Sequence, residues 1–301
     1  MIPSWCLMDV FCKVPRKNQI DVSTSQLLLG DCLKVMKQLP DSSVDCIITD
    51  PPYNLGQFMH DRNTNLVKMR ANQFAYAGWD NLDHKEWRKS MKKFLVECSR
   101  VLKKGGTLIV FMAVIKVSDI VNLAYGTKLY YKTTGVWHKT NPMPRNMNIH
   151  FVNSTESWIY FVNNDTSGTF NNEGKVVHDF LESSVCPLSE KKHGKHPTQK
   201  PLSIMKRLVE LVTNPNDIIL DPFMGSGSTC VAAAVLGRRY LGIELDEICP
   251  PLNSGLVLSA ETVTVLSVGI TVMSCANIPN AMVVSEIVKN NLLIILVLFA
   301  L

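Results

Sequence analysis

Two short segments of the chain carry side chains able to do chemistry. Asp50-Pro51-Pro52-Tyr53 follows the apolar run Val44-Asp45-Cys46-Ile47-Ile48-Thr49, and Asp221-Pro222-Phe223-Met224-Gly225-Ser226-Gly227-Ser228-Thr229 follows Ile218-Ile219-Leu220. In each, an acid stands at the end of an apolar strand and a constrained turn comes next. Ligands of open α/β sheets bind in the crevice outside the carboxyl ends of the strands, so two such ends predict two ligands side by side. Asp50 can accept a hydrogen from an amino group. Pro51 and Pro52 fix φ and hold a backbone carbonyl in place. Tyr53 offers a face for a planar base to stack on, worth roughly 1–3 kcal/mol. In the second segment Gly225 and Gly227 let the backbone approach a ligand closely, because no Cβ intervenes. Glu244 ends the following apolar run, about 20 residues past the turn, the distance at which an acid can grip ribose hydroxyls. The first segment suits an amino-bearing base and the second a nucleoside cofactor.

A lone glycine-rich turn is a weak signal, because dinucleotide binders share the strand, turn, helix, strand and acid. Here the third glycine of the dinucleotide fingerprint is missing and Asp221-Pro222 precedes the turn. A dinucleotide places its pyrophosphate on the helix N-terminus. No hydride-transfer site stands out either, so a nicotinamide dehydrogenase is disfavoured.

The elements that must position these segments follow from periodicity. Residues 26–29 read as a short strand ending at Gly30-Asp31. Cys32, Val35, Met36 and Leu39 share one face of a helix over 32–39. Residues 44–49 form the strand that delivers Asp50. Residues 54–81 are polar and irregular, a long loop of the kind that is usually functional or mobile. Trp87, Met91, Phe94, Leu95, Cys98, Val101 and Leu102 form the stripe of a helix over 84–104, ended by Gly105-Gly106. Its many lysines and arginines (85, 88, 89, 92, 93, 100, 103 and 104) fit the solvated back of an amphipathic helix better than a DNA-facing surface. Strands are expected at 107–112, 130–138 and 156–162. Residues 139–146 form a stiff polar loop, and 163–196 show little periodicity. A helix over 201–213 is opened by Pro201. Strand 217–220, helix 228–236 and strand 240–243 make a β-α-β unit.

With these elements in place, the chain resembles the amino-methyltransferases that move a methyl group from S-adenosylmethionine to an exocyclic amine of a DNA base. The Asp-Pro-Pro-Tyr segment precedes the glycine-rich one, as in the permuted beta class. The resemblance covers about residues 27–247. It implies a doubly wound, Rossmann-like α/β fold with a sheet of the seven-stranded type and a small inserted target-recognition segment, about 139–196. It implies S-adenosylmethionine as cofactor, its carboxylate on the helix N-terminus and its ammonium group on Asp221, with Pro222, Phe223, Gly225, Ser226, Gly227, Ser228, Thr229 and Glu244 around it. Asp31 is either near the adenine ring or a plain N-cap. Lys195-His196-Pro197-Thr198-Gln199-Lys200-Pro201 resembles the family motif serving the methionine end, which makes Thr198 and Lys200 the candidate contacts.

In the reaction so implied, Asp50 and the Pro51 carbonyl take the two amino hydrogens and localise the nitrogen lone pair. The target nucleotide is flipped out of double-stranded DNA. Lys139, Arg145, Lys191, Lys192 and Lys195 are candidates for phosphate contacts, although each alone reads more simply as surface charge. Because the tetrapeptide opens with Asp rather than Ser, the family tendency points to adenine N6, with cytosine N4 as the alternative and a catalytically dead DNA-binding relic as another. The resemblance also implies a bacterial or phage protein of the cytoplasm and nucleoid, a monomer or homodimer, with a cognate restriction endonuclease as an allowed partner.

Composition is compatible with this reading. The 301 residues can bury a full core, and 8% aromatic and 19% charged residues disfavour disorder. A net charge of +5 permits a polyanionic partner without demanding one. The nine cysteines show no metal-ligand spacing and read as buried thiols of a reducing compartment. The N-terminus lacks a signal-peptide layout, and residues 1–24 read as an extension preceding a domain of 25–247. From residue 248 onward the only charges are Glu261, Glu286 and Lys289. The final apolar run is near half the ~20 residues a membrane helix needs. That break in composition marks 248–301 as an atypical, frame-shifted or read-through tail, which resequencing the coding DNA would test.

Overall fold

The structure, a computed structural model, describes residues 12–13, 20–55, 82–142, 148, 151–191 and 199–245. The expected loop over 54–81, apart from its first two residues, lies outside them, as does the tail from 248. All the described residues fall in one compact unit, Met1–Asn253.

Among the described residues one sheet of nine strands runs through the molecule. The strands are β1 (Cys12–Lys13), β2 (Gln26–Leu29), β3 (Val44–Thr49), β4 (Leu102–Met112), β5 (Leu129–Lys139), β6 (Thr155–Asn163), β7 (Phe180–Ser183), β8 (Ile218–Asp221) and β9 (Arg239–Glu244). Their spatial order is β1-β2-β9-β8-β3-β4-β6-β5-β7. From β1 to β4 every pairing is parallel, and β6 then runs antiparallel to both β4 and β5. The seven strands from β2 to β5 form the expected sheet. Two short edge strands add to it: β1, from the segment expected to precede the domain, and β7, from the aperiodic stretch.

Among the described residues five helices connect the strands: α1 (Cys32–Met36), α2 (His84–Val101), α3 (Val117–Ala124), α4 (Leu202–Val212) and α5 (Ser228–Val235). The stripe read from the sequence is the buried face of α2, with Trp87, Met91, Phe94, Leu95, Cys98 and Val101 all in the core. They pack with Leu28, Val44, Ile47, Leu108, Val110, Leu220 and Leu241 from one face of the sheet. The alternate residues Cys46, Ile48, Ile109, Phe111 and Ile219 are equally buried. Strands covered on both faces read as continuous apolar runs rather than as alternation, which is why β3, β4 and β8 were recognisable.

The end of α2 differs from expectation. The helix stops at Val101, and Leu102 already pairs with Val44 in the sheet. Cys46 then pairs with Thr107, so β4 bulges between these two points. Gly105 takes a φ of +79° there. A Cβ on Gly106 would stand 3.0 Å from the carbonyl oxygens of Asp45 and Lys103. The paired glycines therefore serve the bulge and do not cap the helix. Several basic residues of α2 are held by neighbours. Arg88 pairs with Asp119, Lys92 donates to the carbonyls of Leu123 and Tyr125, and Arg100 reaches Glu97, Asp41 and the carbonyls of Met36 and Leu39.

Chain order reverses between β8 and β3. The β8–α5–β9 unit winds toward β2, while the β3–α2–β4 unit winds the other way. Such a switch point opens a crevice at the carboxyl ends of its two strands, and those ends carry Asp221 and Asp50.

Candidate active site

Asp50 follows β3 and shares its carboxylate between two neighbours. Tyr53 donates its hydroxyl to Oδ1 at 2.6 Å, and the Lys200 ammonium donates to Oδ2. Lys200 precedes α4 and is buried, with Nζ 5.1 Å from the centre of the Phe111 ring. The same ammonium lies 3.2 Å from Glu156 Oε2 on β6, and Lys139 Nζ on β5 lies 2.5 Å from Glu156 Oε1. Two carboxylates and two ammonium groups thus alternate as Asp50, Lys200, Glu156, Lys139. Burial alone would raise the Glu156 pKa, but Lys200 and Lys139 hold it down, to about 2. Burial likewise opposes the Lys200 charge, and Asp50 with Glu156 outweighs it and raises its pKa. The Tyr53 phenol is pushed well up by burial and by the same two carboxylates, so it stays a donor.

The turn after Asp50 is pinned from α2. Trp87 Nε1 donates to the Pro52 carbonyl at 3.1 Å, and the buried Asn54 donates Nδ2 to the Leu82 carbonyl at 2.9 Å. Asn54 has a φ of +52°, a conformation asparagine tolerates better than most residues.

Across the switch point Asp221 ends β8. It is buried, and Thr49 Oγ1 and the Phe223 amide donate to Oδ1 at 2.8 and 3.2 Å. These donors are neutral, and among the described residues Asp221 has no cationic partner. Burial lifts its pKa to about 6 against the hydrogen bonds from Thr229, Thr49 and Phe223. Pro222 is buried beside it, and Phe223 meets Phe94 edge to face at 5.3 Å. The glycine turn then enters α5 through Gly227, which has a φ of +77°. Ser226 and Ser228 lie with their hydroxyls 3.1 Å apart, and Thr229 is buried behind them. Gly225 N donates to Glu244 Oε2 at 2.7 Å, so the acid ending β9 fixes the turn ending β8. Asp31 follows β2, the neighbour of β9, and accepts from Lys34 N at 3.0 Å as the N-cap of α1.

The structure therefore brings Asp50, Pro51, Pro52 and Tyr53 to one side of the crevice. Asp31, Asp221, the glycine turn and Glu244 stand along the neighbouring strand ends. Lys200, expected beside the cofactor, is hydrogen-bonded to Asp50. Lys139, expected on DNA phosphates, has its charge taken up by Glu156. Arg145, Lys192, Lys195 and Thr198 lie outside the described residues. Lys191 closes a short 3-10 turn, Leu188–Lys191, but its side chain also lies outside them. Glu156 and Trp87 join the site without having been singled out for it. In the sequence Trp87 reads only as core. Glu156 could have been noticed as an acid at the start of a strand whose remainder, Trp158 to Val162, is apolar or aromatic.

Comparison with known proteins identifies the family. The N6/N4 methyltransferase family model, described as DNA methylase, matches residues 44–250. Type II methyltransferase M.HinfI of Haemophilus influenzae is 30% identical over 77% of this chain and 67% of its own length. Type II methyltransferase M2.LlaDCHI of Lactococcus lactis subsp. cremoris is 33% identical over 73% of this chain and 84% of its own. Among solved structures, the M1.HpyAVI–SAM complex is 27% identical with a TM-score of 0.54, over 74% of this chain and 93% of that one. The cytosine-N4-specific PvuII DNA methyltransferase has a TM-score of 0.61 at 16% identity, over 85% of this chain and 93% of that one, and bears on the fold alone. This chain belongs to the N6/N4 DNA methylase family.

Proposed function

We propose that the protein is a Type II DNA methyltransferase that methylates the N6 amine of adenine, with S-adenosylmethionine as donor. The observation that carries this reading is the pair of acids at the switch point, Asp50 and Asp221, on adjacent strands joined through the Thr49–Asp221 hydrogen bond. The buried Asp221, met among the described residues by neutral donors alone, suits a cationic ligand group. Asp221 would hold the ammonium group of the cofactor, the first amides of α5 with Ser226 and Ser228 its carboxylate, and Glu244 its ribose. The cofactor supplies an electrophilic methyl on a sulfonium, already a good leaving group.

The chain's own task is positioning. An exocyclic amine is a poor nucleophile because its lone pair is delocalised into the ring. Asp50 accepts one amino hydrogen and the Pro51 carbonyl the other, drawing the nitrogen toward tetrahedral geometry. An ionised carboxylate offers about four acceptor sites, so Asp50 can serve the amine while bonded to Tyr53 and Lys200. Tyr53 stacks on the base, and Trp87 keeps the turn in place through the Pro52 carbonyl.

A base within a duplex cannot enter this crevice, so the nucleotide is flipped out. Adenine is favoured by the opening Asp of the tetrapeptide, and N4-cytosine transfer is the alternative. The two bacterial relatives, both Type II methyltransferases, support a DNA duplex as substrate and a cognate restriction endonuclease as partner.

The test is transfer of labelled methyl from S-adenosylmethionine to mixed-sequence DNA, followed by nucleoside analysis. N6-methyladenine from the wild type, formed about 10²–10³-fold more slowly by Asp50→Ala, is the expected result. N4-methylcytosine would replace the base assignment, and no transfer from the folded protein would favour the relic.

A further inference from the structure

Methyl transfer moves positive charge toward the target nitrogen. The N–C bond forms as the C–S bond breaks, and sulfur keeps the electron pair and becomes neutral. The nitrogen becomes cationic until one of its N–H protons leaves for water. Any group that cancels the negative charge of Asp50 therefore weakens its attraction for the transition state. Lys200 is such a group, since its buried ammonium is hydrogen-bonded to Asp50 Oδ2. Glu156 Oε2 also lies 3.2 Å from that ammonium, and Glu156 is itself steadied by Lys139 at 2.5 Å and accepts from Tyr53 OH at 3.4 Å.

Resting on the methyltransferase reading above, we propose that Glu156 is a positioning residue of the transfer reaction. It is the counter-ion that occupies Lys200, so that Lys200 orients Asp50 without neutralising it. The chain of Asp50, Lys200, Glu156 and Lys139 is neutral in sum. Removing the Glu156 charge leaves one excess positive charge beside the nitrogen that must itself become positive. In a half-buried site such a charge is poorly screened. Removing Lys200 as well restores neutrality.

The test compares wild type, Glu156→Gln, Lys200→Met, the double variant and Glu156→Asp. Single-turnover methyl transfer is measured at saturating DNA and cofactor, and thermal melting in the ligand-free protein. Glu156→Gln should slow transfer about 10- to 100-fold, the scale of a misplaced catalytic group, while binding of DNA and cofactor changes little. The double variant should be faster than Glu156→Gln alone. In melting, the two single losses should sum to more than the double loss, as coupled partners do. Glu156→Asp keeps the charge and serves where Glu156→Gln does not fold. A rate within about tenfold of wild type supports the counter-ion role, and a loss as complete as that of Asp50→Ala overturns it. The inference also fails if Glu156→Gln transfers at the wild-type rate, if the double variant is no faster than Glu156→Gln, or if the melting losses simply add. A wild type that transfers no methyl at all refutes the proposed function instead.

Discussion

On the β3 side of the crevice Asp50 and Glu156 share Lys200, and Glu156 also holds Lys139, whereas on the β8 side Asp221 meets, among the described residues, hydroxyl and amide donors alone. The two acids at the switch point are close in space and opposite in circumstance. Asp50 is held in a network that is already neutral, which suits a group that must accept hydrogen bonds from an uncharged amine. Asp221 is buried with a charge left to be satisfied, which suits a cationic ligand group. The difference comes from which strands lie nearby. Antiparallel β6 and β5 bring Glu156 and Lys139 up beside β3, while parallel β9 brings Glu244 up to fix the glycine turn.

The variants that break this contrast most strongly remove the acids themselves. Asp50→Ala should lower the transfer rate by about 10²–10³-fold, the range for loss of a preorganised polar contact, with cofactor affinity preserved in calorimetry. Asp221→Asn should do the reverse. Cofactor Kd should rise about 10- to 100-fold, as expected for a charge-assisted hydrogen bond of about 1.5–3 kcal/mol. Its ligand-free melting temperature at pH 7.5 should equal or exceed that of the wild type, because an unpaired buried charge is gone.

A smaller effect is one of pH. The Asp221 pKa of about 6 in the fold lies above the ordinary value near ~3.9 of an unfolded chain. Between those values the native state binds more protons, so this group's contribution to stability falls as pH rises through the window. A cationic ligand requires the ionised form. Wild-type cofactor Kd should therefore weaken by up to about tenfold per unit as pH falls below about 6, and Asp221→Asn should lose that slope in calorimetric titrations. The smallest effect is expected from Trp87→Phe, which keeps the core ring and removes the bond to the Pro52 carbonyl. It should cost about 1 kcal/mol in chemical denaturation and slow transfer several-fold.

The central strands and α2 are readable from the chain because β3, β4 and β8 are buried on both faces and α2 has one apolar stripe, while their doubly wound order is legible only through the family resemblance. The strand ends carrying Asp50 and Asp221 could be located for the same reason, since an acid stops an apolar run abruptly. The end of α2 was not readable. Gly105-Gly106 looks like a helix stop, and only the pairing of Leu102 with Val44 reveals a bulge. The ion-pair network that includes Asp50 is hidden for a topological reason. Lys200 and Glu156 come from distant parts of the sequence, and only the sheet order brings them together. The buried Asn163, which bonds the carbonyls of Ser99 and Leu102 and fixes the end of α2 onto β6, was missed in the same way.

Two neighbouring acids have separate tasks, and cofactor affinity and methyl transfer measured on both single variants tell those tasks apart. Asp50→Ala should bind S-adenosylmethionine like the wild type and transfer methyl about 10²–10³-fold more slowly at any cofactor concentration. Asp221→Asn should bind the cofactor weakly and recover transfer as cofactor concentration is raised. Loss of cofactor binding in Asp50→Ala, or unchanged binding in Asp221→Asn, would contradict that separation.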